Sequence, residues 1–402
     1  MKTADKVYPL NSVRIFISLL VLFHHSVKVF FPAIASSAVQ SALPSFITEF
    51  SLKLSFSASS FFILSGYSLS CAYLRKGRGI DVSRFVVARI ARLYPLCLLL
   101  FLIEGAIYAR DLFHRMGTIG AVETFGVNAL LLQAWFPQKF NQLNFPSWAL
   151  SAEMFFCVCF CLLGTRLWKL SGARLLLTAL ALYLGGQALA WVTRGDTETS
   201  FWAFGPPLHL SSFLLGILVA RWLSLKQERK ERSSVKAWQA NTVLGVSVVA
   251  LLACVQLDTL SHGPNLYSHG MLAPIFVAMI WSLTVTSTAV TRWLSGKWMV
   301  ALGNASYSVY LLHVPVLRLF TRYGGEAAHL YPLYVALCVG LGVLSSRLFE
   351  TPIRSWLMEQ FEARRSGKAV EEHSIAAGEP SIAVGEPSMA YSGSVGDSAN
   401  AD

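Results

Sequence analysis

Windows of about twenty apolar residues, each long enough to cross a bilayer as a helix, recur through most of this chain. About ten can be read, at 12–31, 54–73, 93–109, 146–164, 174–193, 203–222, 241–258, 270–290, 299–320 and 330–349. In hydrocarbon, every backbone N–H and C=O must find its partner inside the protein, so such a chain folds as packed helices. Composition agrees: 54% of the 402 residues are hydrophobic and 14% charged, where soluble domains carry about 25% charge. The expected fold is all-α, a polytopic transmembrane helical bundle. One further apolar stretch, 119–136, is interrupted by Glu123 and Asn128 and is expected to be an interfacial or re-entrant helix.

The net charge of +11 reports orientation here, since Lys and Arg collect in cytoplasmic loops; no nucleic acid is implied. Loop 74–92 holds Arg75, Lys76, Arg78, Arg84, Arg89 and Arg92. Loop 165–174 and segments 221–236 and 291–298 are also basic, and the alternate loops are poor in Lys and Arg. Both termini are therefore expected on the cytoplasmic side. His24, His25 and Lys28 lie between the first apolar run and Ala33-Ile34-Ala35, so the N-terminus is not expected to be a cleaved signal. The seven Cys, including Cys157, Cys159 and Cys161 in one apolar run, read as small core residues with no disulfide framework and no metal site. Residues 1–356 make the expected membrane domain. The remainder, 357–402, is expected to be a cytoplasmic and largely disordered tail, since beyond Lys368 it lacks Lys and Arg and repeats SIAAGEP as SIAVGEP.

Within the first window, RIFISLLVLFHHSVKVFF at 14–31, four ionisable side chains interrupt the apolar run. Such groups are costly in hydrocarbon, so each is either paired structurally or functional. Arg14 and His25 stand eleven residues apart, about three helical turns, which puts both on one face roughly 16 Å apart. His24 points about 100° away and is expected to be structural.

Four other stretches place polar groups inside or at the ends of windows. RFVVARIARLYP (84–95) puts Arg89 and Arg92 on one helix face, as an anchor or as paired forks suited to phosphate. Pro95 just inside the window is tolerable if a helix begins there. SFFILSGYSL (60–69) carries Ser65 and Gly66, which suit close helix packing and an interhelical hydrogen bond. PSWALSAEMFF (146–156) puts Trp148 at interface depth and Glu153 about two turns in, where a carboxylate wants a partner. LGNASYSVYLLHVPV (302–316) places Tyr307, Tyr310 and His313 three apart on one stripe.

Taken in order, these stretches resemble the acyltransferase-3 family of integral-membrane O-acyltransferases. The resemblance rests on R-x10-H at Arg14–His25, FF-x-x-SG at 61–66, R-x-x-R-x-YP at 89–95, SW-x-LS-x-E at 147–153 and LG-x-x-SYS-x-YL-x-H at 302–313, with FETPIRSW (349–356) after the last window. Asn11 stands where the family often has Asp, and Ile15 where Gly is frequent. Some members append an extracytoplasmic hydrolase-like domain, and none is expected after the last window here. The resemblance implies a multi-pass protein of the bacterial inner membrane that transfers an acyl group, commonly acetyl, to a hydroxyl of an extracytoplasmic carbohydrate such as exopolysaccharide, O-antigen or a lipid-linked glycan.

Counting inward along the windows puts His25, His313 and Glu153 roughly 10 Å below the outer surface, with Arg14, Arg89 and Arg92 at the inner one. Two polar layers with an apolar gap of about 15 Å match acyl-CoA, which has a polyanionic nucleotide, a thin arm and a thioester at its tip. The expectation is that Arg14, Arg89 and Arg92 hold the phosphates and His25 acts as base, with Glu153 orienting it. An acyl–His intermediate remains open. Ser65, Gly66, Trp148, Tyr307, Tyr310 and His313 would line the acceptor site, donate to the oxyanion or support the structure. By the same resemblance acyl-CoA, commonly acetyl-CoA, would be a co-substrate, with no tightly bound cofactor. A proton-coupled exporter is the alternative that buried His, Glu and Arg also allow, although no half-to-half repeat accompanies it.

Overall fold

The computed structural model describes residues 8–31, 54, 56–75, 79–136, 138–139, 141–193, 201–228, 235–256, 269–324 and 327–376. Among them the chain is helical, in the order α1 (Tyr8–Phe30), α2 (Phe56–Tyr73), α3 (Val82–Ala129), α4 (Trp148–Trp168), α5 (Gly172–Val192), α6 (Phe201–Phe204), α7 (Pro206–Glu228), α8 (Ala237–Gln256), α9 (Ala273–Val285), α10 (Ala289–Leu294), α11 (Lys297–Arg322), α12 (Tyr331–Ser345) and α13 (Thr351–Ala376). Eight helices among the described residues are long and apolar enough to cross a membrane, which makes this a multi-pass membrane protein.

Two of the expected windows differ. The window at 54–73 becomes α2, an 18-residue helix with buried Ser57, Ser59, Ser60, Ser65 and Ser70 that is not among the eight. A helix buried among others needs no apolar coat, and its hydroxyls bond locally, Ser60 to the Ser57 carbonyl at 2.7 Å and Ser70 to that of Gly66 at 2.8 Å. The window at 270–290 becomes α9, only 13 residues long.

α7 is the centre of the bundle, with 72% of its most apolar stretch buried, against 11% for α5 and 17% for α8. Pro206 and Pro207 open α7, where a missing N–H costs nothing. α2 packs on α7 backbone to backbone. A Cβ on Gly66 would lie 2.0 Å from the Phe213 carbonyl oxygen, and one on Gly216 would lie 2.1 Å from that of Ile63. Only glycine permits this approach at both places.

α1 lies against α11, tied by Asn11 Nδ2 to Asn304 Oδ1 at 2.8 Å and by the Ser18 hydroxyl to the Ser306 carbonyl at 2.9 Å. Their contact is tightest at Gly303, where a Cβ would meet the Asn11 carbonyl oxygen at 2.5 Å.

α3 begins at Val82, capped by Asp81, so Pro95 falls well inside it and not at a helix start. The proline removes one rung of the helix ladder, and the nearby Leu93 carbonyl accepts the Tyr307 hydroxyl from α11. At Gly117 the backbone breaks (φ 69°, ψ 175°) and the remainder of α3 returns along its first part. Phe125 meets Phe101 with centroids 6.1 Å apart, and Tyr94 bonds the Ala129 carbonyl. The interrupted stretch 119–136 is thus a fold-back helix followed by a short turn at Gln133–Trp135.

After α12 a π turn at Ser346–Glu350 leads into α13. Ser308 and Ser345 both donate to Glu350 there. α13 runs to Ala376, into the expected tail; residues 377–402 lie outside the described residues.

Candidate active site

A cavity of about 540 Å³ opens between α1, α2, α3, α4, α7 and α11. Arg14, His25, Ser65, Arg89, Arg92, Trp148, Glu153, Tyr307 and Tyr310 all border it, as do His24, His209 and Arg354. With Arg354 of α13, seven helices thus bring to one space groups spread from residue 14 to residue 354. Gly66 and His313 stand behind the wall, the first in the α2–α7 contact and the second against His25.

One end of the cavity carries guanidinium groups. Arg14 of α1 donates to the Ser68 hydroxyl at 3.0 Å and, more weakly, to the Leu64 carbonyl at 3.4 Å. Arg89 is 8% exposed, lies 6.0 Å over the Phe85 ring, and leaves its buried Nε without a hydrogen bond. Arg92 is one turn further along α3, and Arg354 comes from the first turn of α13. Among the described residues none of these four forms an ion pair. Concentrated cationic charge with an unmatched buried donor suits a polyanion.

Histidine marks the other end. His25 Nδ1 lies 2.9 Å from His313 Nε2, with the two ring planes within 15° of each other. His313 Nδ1 in turn lies 2.5 Å from the Tyr310 carbonyl oxygen. Phe145 meets His25 edge-on at 5.4 Å. Pro315 explains part of this arrangement, since its missing N–H frees the Leu311 carbonyl one turn back. Asn144 donates to that carbonyl at 3.0 Å, which holds the loop before α4 against α11.

Glu153 does not take the place expected of it. Its partner is the Ser65 hydroxyl at 2.7 Å, and the hydrogen-bond partner of His25 is His313. Ser65 is one helical turn from Ser68, which holds Arg14, so Glu153 lies nearer the guanidinium end than the depth count placed it. The gap between the polar ends is therefore bridged by a serine and a carboxylate. Counting from the window edge failed because α4 is preceded by the turn at Phe145–Ser147 and its first residues are already buried. Trp148, for the same reason, is inside and not at an interface, with Phe204 at 5.1 Å and His209 at 5.3 Å.

The tyrosines differ from expectation too. Tyr307 donates to the Leu93 carbonyl, and Tyr310 donates to the Pro146 carbonyl at 3.0 Å. Both hydroxyls tie α11 to its neighbours and neither is available to an oxyanion. His24 borders the cavity beside His25, with ring centroids 4.9 Å apart. Arg354 and His209 went unnoticed in the sequence. Arg354 sits within FETPIRSW, and a basic residue after the last apolar window looks like an orientation signal.

Among known sequences, residues 7–350 match the acyltransferase-3 family, described as an acyltransferase domain. The chain belongs to that family. It is similar to "O-acetyltransferase OatA" of Staphylococcus aureus, 26% identical over 316 residues, which covers 73% of this chain and 51% of the relative. It is also similar to "Acyltransferase MdmB" of Streptomyces mycarofaciens, 27% identical over 294 residues, covering 68% and 71%. The chain thus matches about half the length of OatA. No solved structure matches it.

Proposed function

We propose that this acyltransferase-3 member is a membrane O-acyltransferase that takes an acyl group, acetyl in the first instance, from acyl-CoA and passes it to a carbohydrate hydroxyl across the membrane. The observation that carries the reading is the single cavity joining four guanidinium groups to His25. The names of OatA and MdmB support acyl transfer, and that of OatA supports acetyl to oxygen.

The donor's phosphates meet Arg14, Arg89, Arg92 and Arg354 at the cytoplasmic end, and its arm passes Ser65 and Glu153. The thioester then lies beside His25. The ring nitrogen of His25 on the cavity side takes the proton of the acceptor hydroxyl as its oxygen attacks the thioester carbonyl. The C–S bond breaks, and the departing thiolate takes the same proton back. Products are an ester and free CoA.

Inside-out vesicles carrying the protein, supplied with labelled acetyl-CoA, test this. Thiol release with label passing to a glycan fraction supports the reading. Proton uptake with no thiol release would establish an exporter instead.

A further inference from the structure

We infer that His313 is a positioning residue for the proposed transfer, acting through His25 by fixing which of its ring nitrogens carries the proton. The inference rests on the function proposed above but is tested separately from it. A backbone carbonyl only accepts, so the 2.5 Å contact with Tyr310 means that His313 carries its proton on Nδ1. A neutral imidazole protonated there has an acceptor at Nε2. That acceptor lies 2.9 Å from His25 Nδ1, so His25 donates from Nδ1. Its own Nε2 is left with a lone pair. His25 borders the cavity while His313 does not, which turns this lone pair toward the cavity.

The rest of the contact keeps the two rings in register. His313 is fully buried, and Tyr334 of α12 donates to its carbonyl at 3.1 Å. Asn11–Asn304 and Ser18–Ser306 set the alignment of α1 and α11 below the pair. The Tyr310 carbonyl, His313 and His25 thus form a chain of fixed polarity, in which a carbonyl stands where a carboxylate stands in a hydrolase triad. A carbonyl cannot take the proton. The chain therefore orients the base without draining it, and positive charge arising on His25 during transfer is shared with one neutral partner.

The test compares His313→Gln, which keeps an acceptor near the lost Nε2, with His313→Phe, which keeps none. The protein is full-length in lipid nanodiscs with acetyl-CoA as the donor probe. Expected for His313→Phe are a fall in turnover of about 100-fold and a KM for acetyl-CoA within about twofold of wild type, because the guanidinium end is untouched. Turnover in His313→Gln should recover at least tenfold of that loss. Solid-state ¹⁵N spectra of His25 should show one tautomer, protonated at Nδ1, in wild type and a mixture in His313→Phe, whether or not any donor turns over. An unchanged His25 tautomer in His313→Phe overturns the inference, as does equal loss of turnover in both variants. Wild-type protein that releases no thiol would count against the proposed function and leave the tautomer result to stand by itself.

Discussion

Ser65 donates its hydroxyl to Glu153 at 2.7 Å, which holds a carboxylate in the middle of a cavity whose other charged groups are guanidinium. A hydrogen bond to a charged group contributes about 1.5–3 kcal/mol, which helps to fix where the Glu153 side chain sits. Without that charge, four cations would act unopposed on positive charge forming at His25. Glu153→Gln keeps the acceptor for Ser65 and removes the charge. Turnover should fall by about tenfold to 100-fold, a part of the range ascribed to acid–base catalysis, with KM for acetyl-CoA unchanged or lower. Steady-state kinetics check this, and wild-type turnover in Glu153→Gln would mean the charge is idle.

The guanidinium end should govern donor affinity. Removing a charge-assisted contact costs about 1.5–3 kcal/mol, roughly tenfold to 100-fold in KM. Arg89→Ala, Arg92→Ala and Arg354→Ala are each expected to raise KM for acetyl-CoA by that order, with smaller changes in turnover. Binding of CoA should also weaken with salt, since the partners are charged. Titration of CoA by calorimetry at two ionic strengths measures both effects.

The α2–α7 contact predicts a contrast between two glycines. Gly66→Ala drives a Cβ onto the Phe213 carbonyl, and overpacking of this kind costs about 1–3 kcal/mol. At Gly340 in α12 a Cβ meets nothing within 4 Å, so Gly340→Ala should be neutral or stabilising by about 0.5–1 kcal/mol. Thermal unfolding in detergent should lower the midpoint of the first variant only.

α13 is fastened to the start of α3 by Arg365 to Asp81 and by Arg84 to Glu362 at 2.8 Å. Arg365, the Arg84 backbone N–H and the Ser83 hydroxyl hold the Asp81 carboxyl down to about 2. A depressed carboxylate contributes stability that is fully present above its unfolded value, about 3.9, and is lost as pH falls through the folded one. The fastening should therefore be constant from pH 8 to 5 and fail between about 4 and 2. Asp81→Ala should remove the Arg365 half of it at any pH and leave Arg84–Glu362 in place. Hydrogen exchange of α13 amides reads this directly, with faster exchange in the variant. Equal protection in both proteins would contradict the account.

Much of the site could be read from the chain alone because charge inside an apolar run is conspicuous. Arg14, His25, Arg89, Arg92 and Glu153 stood out on that ground, and helical spacing put Arg14 and His25 on one face. What could not be read was pairing over long separations. His25 and His313 are 288 residues apart, and nothing local to either says that they meet. Depth failed at Glu153 because α4 is already buried at its first residue, Trp148, so the edge of the apolar window does not mark a membrane surface. Arg354 was hidden by the cytoplasmic bias of arginine itself. Serine-rich α2 was expected as a span and is not among the eight, and protein surrounds most of it.

The most direct measurement is thiol release from labelled acetyl-CoA by inside-out vesicles bearing wild-type protein or His25→Ala. The account predicts release coupled to labelled glycan in the wild type and, in the variant, a rate lower by a factor of about 100 or more. Release at the wild-type rate from His25→Ala would contradict it.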